Sequence, residues 1–401
     1  MHADKGGHAG APVIVFIIGL GIPLLAAVVP LAPLGMAPGM VALSVFALMA
    51  CLWRERRLPL PDPLILTGLG LFIAWTGLGL SWTGAMGRAL ESWAAFLYVF
   101  VPGLFFLTAL GRLAPDRARQ AARWLLPAAV FGAILFTLEL IGDQPIQHLA
   151  SPGKTDLNLE RDINRAAVLL ALLAGPVSLL MWRLGQRVPA VLALAGALVL
   201  TMFSTSESAV AFLLALLLLL ALGYWSVRLA AGLVATGIVL GLAFCGQAAQ
   251  WMTRAGLPQA EWLPASSRHR MMTWNFVAEN LDAHPWRGWG LEASRVIPGG
   301  EGIFPGTLNW PVLPIHPHSL FLQIRLELGW IGALAAGFLL LVVLRRLTRL
   351  DPSIRAMAVA LFGASILMQS FAYGAWQAWI LCGMLFAGAV LALAGRVRGP
   401  S

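Results

Sequence analysis

Twelve apolar stretches follow one another along this 401-residue chain, and one long polar segment, 246–317, breaks the series. Stretches of about 17 to 25 apolar residues cross a hydrocarbon core of roughly 30 Å as helices, which satisfy their own backbone polar groups. The expected spans are 12–30, 38–53, 63–82, 92–110, 124–141, 166–182, 189–203, 209–225, 230–245, 319–344, 356–373 and 376–394. A chain that is 59% hydrophobic and 11% charged cannot fold as a water-soluble domain of this length. The expected fold class is all-α: a polytopic membrane helical bundle of about twelve transmembrane helices. Nine helices fall in 1–245, a loop carrying an amphipathic helix in 246–317, and three helices in 318–401. No basic run precedes the first span and no small-residue cleavage pattern follows it, so it reads as a retained helix.

Basic residues set the orientation, because short cytoplasmic loops accumulate lysine and arginine. Lys5, Arg54, Arg56, Arg57, Arg112, Arg117, Arg119, Arg123, Arg183, Arg187, Arg228, Arg345, Arg346, Arg349, Arg355, Arg396 and Arg398 fall on one side, seventeen of the 27 basic residues. Both termini are then cytoplasmic, and 246–317 faces the outer side of the membrane. The formal charge of +9 reports this topology and does not indicate nucleic-acid binding.

Cys51, Cys245 and Cys382 lie within or at the ends of spans, where cysteine behaves as a small apolar residue. No zinc spacing, Asp-x-Asp pair or carboxylate cluster suited to a divalent ion appears, so neither metal nor cofactor is expected.

Ten basic residues break the positive-inside pattern: Arg88, Lys154, Arg161, Arg165, Arg254, Arg268, Arg270, Arg287, Arg295 and Arg325. Guanidinium groups on the outer face suit an anionic ligand, since they grip phosphate oxygens through paired hydrogen bonds. They also suit lipid headgroups, or loop carboxylates such as Glu261, Glu279, Asp282, Glu292 and Glu301. Arg270, Trp274, Val277 and Leu281 recur at helical spacing, which predicts an amphipathic surface helix capped by Ser266 or Ser267. Arg268 and Arg270 would stand at its positively polarised start, which favours anions. A second outward segment, 142–165, carries Lys154, Arg161, Asp162, Asn164 and Arg165.

The long segment ends in Pro-Ile-His-Pro-His at 314–318, which places His318 and Ser319 in the first turn of the tenth span. There the helix dipole disfavours an imidazolium, and a neutral imidazole can accept a proton from a hydroxyl. An amphipathic anchor at the interface is the competing reading, and His316 is the weaker candidate base. Arg325 lies two helical turns deeper; an arginine there is expensive, with Glu139 and Glu327 as candidate cross-helix partners.

From His318 to Gly332 the chain resembles the C-terminal signature of the O-antigen ligase and polymerase superfamily, His-Asn-x-x-Leu-Gln followed by Glu-x-Gly-x-x-Gly. His318, Leu322, Gln323, Glu327, Gly329 and Gly332 match, and Ser319 stands where asparagine is common. Arg270-x-x-x-Trp274, then His284-Pro285-x-x-Gly288-x-Gly290, and Asn164 at the sixth span are similar to that family too. One departure is clear: the family often has Ser-Arg-x-Ala after its seventh span, where this chain has Ser206-Glu207-Ser208-Ala209. The missing arginine's task would pass to Arg161 or Arg165.

The resemblance implies a GT-C-type membrane glycosyltransferase. It would transfer a glycan from undecaprenyl diphosphate to a sugar hydroxyl of lipid A-core on the periplasmic face, inverting the anomeric centre without a metal. His318 would be the base; Arg268, Arg270, Arg161, Arg165 and Arg88 would hold the diphosphate; Asn164, Trp274, Arg325, Glu327 and His316 would support them. A lipid-linked glycan polymerase of the same superfamily is the alternative, and the long segment after span nine favours the ligase. A twelve-helix secondary transporter is the remaining rival, on a weak echo of a transporter loop motif at 111–117.

Overall fold

The computed structural model describes residues 11–28, 31–56, 58–150, 153, 155–204, 206–305, 307 and 309–397. Lys5, Arg57, Lys154 and Arg398, used above for topology, lie outside the described residues. The chain runs α1 (Ala11–Val28), α2 (Met36–Glu55), α3 (Pro63–Leu78), α4 (Met86–Leu110), α5 (Pro115–Ala122), α6 (Leu125–Ile141), α7 (Pro145–Ala150), α8 (Asp156–Arg183), α9 (Arg187–Phe203), α10 (Glu207–Trp225), α11 (Val227–Arg254), α12 (Ala265–Asn280), α13 (Leu320–Leu347), α14 (Pro352–Gln369) and α15 (Ala378–Arg396). No strand occurs among the described residues; Ile303 and Pro311 form an isolated bridge.

This is an all-α polytopic membrane bundle. Ten helices are long and apolar enough to cross a membrane, and Ile17–Val28 and Arg187–Phe203 are shorter apolar ones. Each of the twelve expected spans falls on one of these helices. The most enclosed is α8, whose Ala166, Ala167, Val168, Leu169, Ala171 and Leu172 are fully buried, because it is apolar on every face between Ala166 and Trp182. It packs against α9, α10 and α15.

Arginines expected on one face sit together. Arg183 Nε donates to the Val397 carbonyl (2.7 Å), Arg396 Nε to the Leu113 carbonyl (2.6 Å), and Arg346 pairs with Asp62 at 2.8 Å. Two helices also start at this end on an Asp-Pro pair. Asp62 accepts from the Leu64 N–H and Asp351 from the Ser353 N–H, while Pro63 and Pro352 fill the first helical position, where no N–H is needed.

Helix α13 is broken at Gly329, where φ is 63° and ψ −162°. The freed backbone groups are taken up by the segment 285–290. Trp289 and Gly290 N–H groups donate to the Leu326 and Glu327 carbonyls (both 2.9 Å), and Trp330 and Ile331 N–H groups donate to the Pro285 and Trp286 carbonyls (2.8 and 3.2 Å). Trp75 Nε1 donates to the Leu328 carbonyl at 2.9 Å. Non-helical backbone inside a membrane bundle survives where protein satisfies it in this way. A continuous span over 319–344 was expected, so the break is a departure from the sequence reading.

Four other departures bear on the site. Helix α11 continues past Gly246 to Arg254, and α14 ends at Gln369, which leaves 370–377 as a connection. The cap of α12 is at Pro264 and makes no side-chain bond, since the helix starts at Ala265, ahead of both serines. Nor does α12 lie free on a surface: Val277 and Leu281 are buried in a small core with Ile297, Leu313, Leu322 and Leu326.

Candidate active site

Five segments meet at the end of the bundle that carries His318: the starts of α8, α10 and α12, the turn 316–319, and the connection 370–377. His318 itself precedes α13 instead of lying in its first turn. Its φ is 54°, and Ser319, with φ −150°, occupies the cap position. The helix dipole therefore cannot be its main control. Tertiary contacts hold the turn: Trp274 Nε1 donates to the Pro317 carbonyl (2.8 Å), and the His318 N–H donates to His316 Nδ1 (3.3 Å).

On the other side, His318 Nδ1 lies 2.8 Å from the Ala372 carbonyl. A carbonyl only accepts, so Nδ1 carries the proton and Nε2 is the unprotonated nitrogen of the neutral ring. Burial pushes the His318 imidazole down to about 4; the bond to Ala372 opposes the shift, while Arg270 and His269 add to it. A neutral ring with a fixed tautomer can take a proton through Nε2. His316 is buried and pushed down to about 3, chiefly by burial and then by His318 and Arg295. Its Nδ1 lone pair is taken by the His318 N–H, which leaves the ring proton on Nε2, beside the Gln377 side-chain amide at 2.9 Å. It supports the turn and is not free to act as a base.

Arg270, also on the His318 side of α12, faces Glu207 and Tyr373; burial lowers its pKa and these two groups oppose the shift. Burial pushes the Tyr373 phenol up, while its bond to Ser208 and then the charges of Arg270 and Arg165 oppose the shift, so both guanidinium groups lie within electrostatic range of it. Tyr373 hydrogen-bonds Ser208 Oγ at 3.0 Å, and Arg165 pairs with Asp162 at 2.8 Å.

The other expected anion-binding residues divide. Arg268 points along α12 towards Trp310, its guanidinium 6.0 Å from the ring, with Nε buried and unpartnered. Arg161 is exposed one turn before Arg165 on α8. Arg88 is not brought to the site: it starts α4 and pairs with Glu91 at 2.8 Å on an exposed surface. Asn164 borders a separate cleft beside α6 and α8.

Arg325 pairs with neither Glu139 nor Glu327. Its guanidinium carbon lies 3.3 Å from the Trp330 ring centroid and Nη1 donates to the Leu242 carbonyl at 3.4 Å. The face of an aromatic ring attracts a cation, so the stack replaces the expected ion pair. Glu139 Oε1 accepts instead from the Ile146 N–H (2.7 Å). Glu327, fully buried, accepts from the Glu292 N–H (2.7 Å), Ser294 Oγ (2.5 Å), Gln323 Nε2 (3.1 Å) and Trp376 Nε1 (2.6 Å). It ties the turn at 292–295, α13 and the connection before α15 together.

Sequence reading missed Ala372, Tyr373, Ser208 and Glu207 as parts of this site. Ala372 acts through its carbonyl, which leaves no trace in residue type. Tyr373 is one of three tyrosines in the chain, and Gly374 beside it packs on the His316 ring. No group of three or more His, Cys, Asp or Glu side chains is arranged to hold a metal ion among the described residues.

The family model described as O-antigen ligase matches residues 190–337, which include Arg270, Trp274, His316, His318, Arg325 and Glu327. The match covers 148 of the 401 residues. Curated relatives agree. A "Putative polysaccharide ligase" of Rickettsia conorii is 34% identical over 117 residues, 28% of this chain and 28% of that protein. Others from Rickettsia felis and Rickettsia prowazekii are each 33% identical, over 28% and 30% of this chain and 29% and 30% of their own length. The matched region thus spans under a third of these relatives. Arg165, Asn164 and Tyr373 lie outside the O-antigen ligase match, and His318 and Arg270 inside it.

Proposed function

We propose that this multi-pass membrane protein is a glycosyltransferase of the O-antigen ligase type. It transfers a glycan from undecaprenyl diphosphate to a sugar hydroxyl of lipid A-core. The observation that carries the reading is the His318 ring, fixed with Nδ1 on the Ala372 carbonyl and depressed in basicity beside Arg270. His318 Nε2 takes the proton of the acceptor hydroxyl as its oxygen attacks the anomeric carbon. The bond from that carbon to the diphosphate oxygen breaks, and undecaprenyl diphosphate leaves with the electron pair. Arg270 and Arg165 balance the charge that develops on it. One displacement inverts the anomeric centre.

The basic face expected from the arginine distribution supports cytoplasmic termini in a bacterial inner membrane, with His318 on the periplasmic side. With Arg270 and Arg165 to neutralise the diphosphate, transfer is read as needing no divalent ion. The test is reconstitution of purified protein with lipid-linked glycan and lipid A-core, in chelator. Formation of the ligated product by the wild type, and its loss in His318→Ala, is the expected result. Undiminished transfer by folded His318→Ala would remove the base assignment.

A further inference from the structure

Glu207 is the residue of the site that the transfer step leaves without a task. It is exposed in the first turn of α10, between buried Ser206 and half-buried Ser208. Ser208 Oγ meets the Tyr373 hydroxyl at 3.0 Å, so the turn that carries Glu207 is tied to the connection whose Ala372 carbonyl holds His318. Arg270 on α12 faces the same opening, and Glu207 is the carboxylate that acts on it, ahead of the Tyr373 phenol. This turn is also where Ser206-Glu207-Ser208-Ala209 puts an acid in place of the arginine common in the O-antigen ligase and polymerase pattern.

The two cations of the site are not balanced alike. Arg165 has a close counter-ion on its own helix, Asp162 at 2.8 Å. Neither Arg270 nor Glu207 makes an ion pair among the described residues, so the two face the opening as free charges of opposite sign. An acid in a first turn supports its helix whatever else it does. A carboxylate within electrostatic range of the guanidinium that receives a diphosphate does more: it weakens every anion bound there, and the more highly charged anion most.

Transfer changes that charge. While the glycan is attached, the diphosphate is esterified at both ends and carries one negative charge on each phosphate. When the bond from the anomeric carbon to oxygen breaks, the terminal phosphate keeps the electron pair and the acceptor proton goes to His318. The leaving diphosphate thus has one ester fewer and a third charge, on a group whose last ionisation has a pKa of about 6. The added charge appears at the end of the diphosphate next to the reacting carbon, and so on the His318 side.

We propose that Glu207 expels the product: its carboxylate tolerates the doubly charged donor and drives off the triply charged undecaprenyl diphosphate, so that Arg270 does not retain it. The identity of the two lipids rests on the transferase reading above; the selection by charge does not depend on turnover.

The full chain in nanodiscs is titrated, without acceptor, with undecaprenyl diphosphate or with undecaprenyl diphosphoglucose, whose terminal phosphate is capped by the sugar. Binding is read by microscale thermophoresis. Glu207→Gln tightens undecaprenyl diphosphate about tenfold and the capped lipid by less, Glu207→Asp stays near the wild type, and the tightening shrinks as salt is raised. Product affinity unchanged or weakened in Glu207→Gln, or equal tightening of the two lipids, overturns the proposal, because a carboxylate that only supports α10 or only orients Arg270 gives one of those results. In the transfer assay, added undecaprenyl diphosphate inhibits Glu207→Gln at about tenfold lower concentration than the wild type, and equal inhibition also overturns it. A wild type that shows the charge selection yet transfers nothing counts against the transferase reading alone; one that binds neither lipid overturns both.

Discussion

Gly288 and Gly329 meet backbone to backbone across 41 residues of sequence: a Cβ on either would lie 2.6 Å from the main-chain nitrogen of the other. Both have positive φ, 69° and 63°, so neither position accepts an L side chain without strain. Gly288→Ala and Gly329→Ala are each expected to destabilise the protein by about 2 kcal/mol or more. Thermal unfolding in detergent checks this, with Gly196→Ala as the tolerated control. Midpoints equal to the wild type in both variants would contradict the docked break.

Glu327 should behave as a structural clamp. Glu327→Ala leaves four donors buried without an acceptor, which is expected to lower stability by at least about 3 kcal/mol. Glu327→Gln, which keeps one acceptor oxygen, should fall between. If Glu327→Ala unfolds at the wild-type midpoint, the clamp is wrong.

At His318 the expected loss is larger in rate than in stability. His318→Ala should lower kcat by about 100-fold to 10,000-fold with little change in donor KM, as for removal of a general base. His316→Ala should act through the turn, with a smaller kcat loss and a broader unfolding transition. Comparable kcat losses in the two would undo the division of roles.

Acid should affect folding before it affects chemistry. His316 and His318 are depressed from an ordinary 6.5 to about 3 and about 4. The unfolded chain therefore binds protons first as pH falls below 6.5. Stability is highest above that value and drops as pH falls towards 4, each pKa unit corresponding to about 1.4 kcal/mol. Denaturation midpoints between pH 7.5 and 4.5 test this, and His318→Gln should flatten the slope. A slope of the opposite sign would contradict the burial.

Among the arginines, Arg270→Ala should raise KM for the lipid-linked donor at least about tenfold, by loss of a charge-assisted contact to phosphate. Arg88→Ala should not, since Arg88 pairs with Glu91 away from the site. Steady-state kinetics on both variants decides it, and equal effects would remove Arg270 from the site.

The apolar stretches made the helices legible because, in lipid, a backbone must close its hydrogen bonds locally and length alone then marks a span. Placement was legible where residue type signals it: His318, Trp274 and Arg270, singled out in the sequence, lie at one end of the bundle. It was hidden where the backbone acts. Nothing in the sequence marks the Ala372 carbonyl, which fell inside an expected span. The break at Gly329 looked like ordinary helix because the groups that complete it lie around Trp286 and Trp289. Arg325 and Glu327, two positions apart, suggested cross-helix charge pairing, and each found a different partner in space. Arg88 shared the topological signal of the site arginines, which reports which face a residue is on but not where on that face.

The four main-chain bonds between 285–290 and the broken helix limit how this protein could open. A lid hinged on that segment would have to surrender all four of them. On the proposed function, any lipid-linked substrate would then reach His318 sideways, through gaps between helices that give onto the bilayer, with the segment over α13 staying shut.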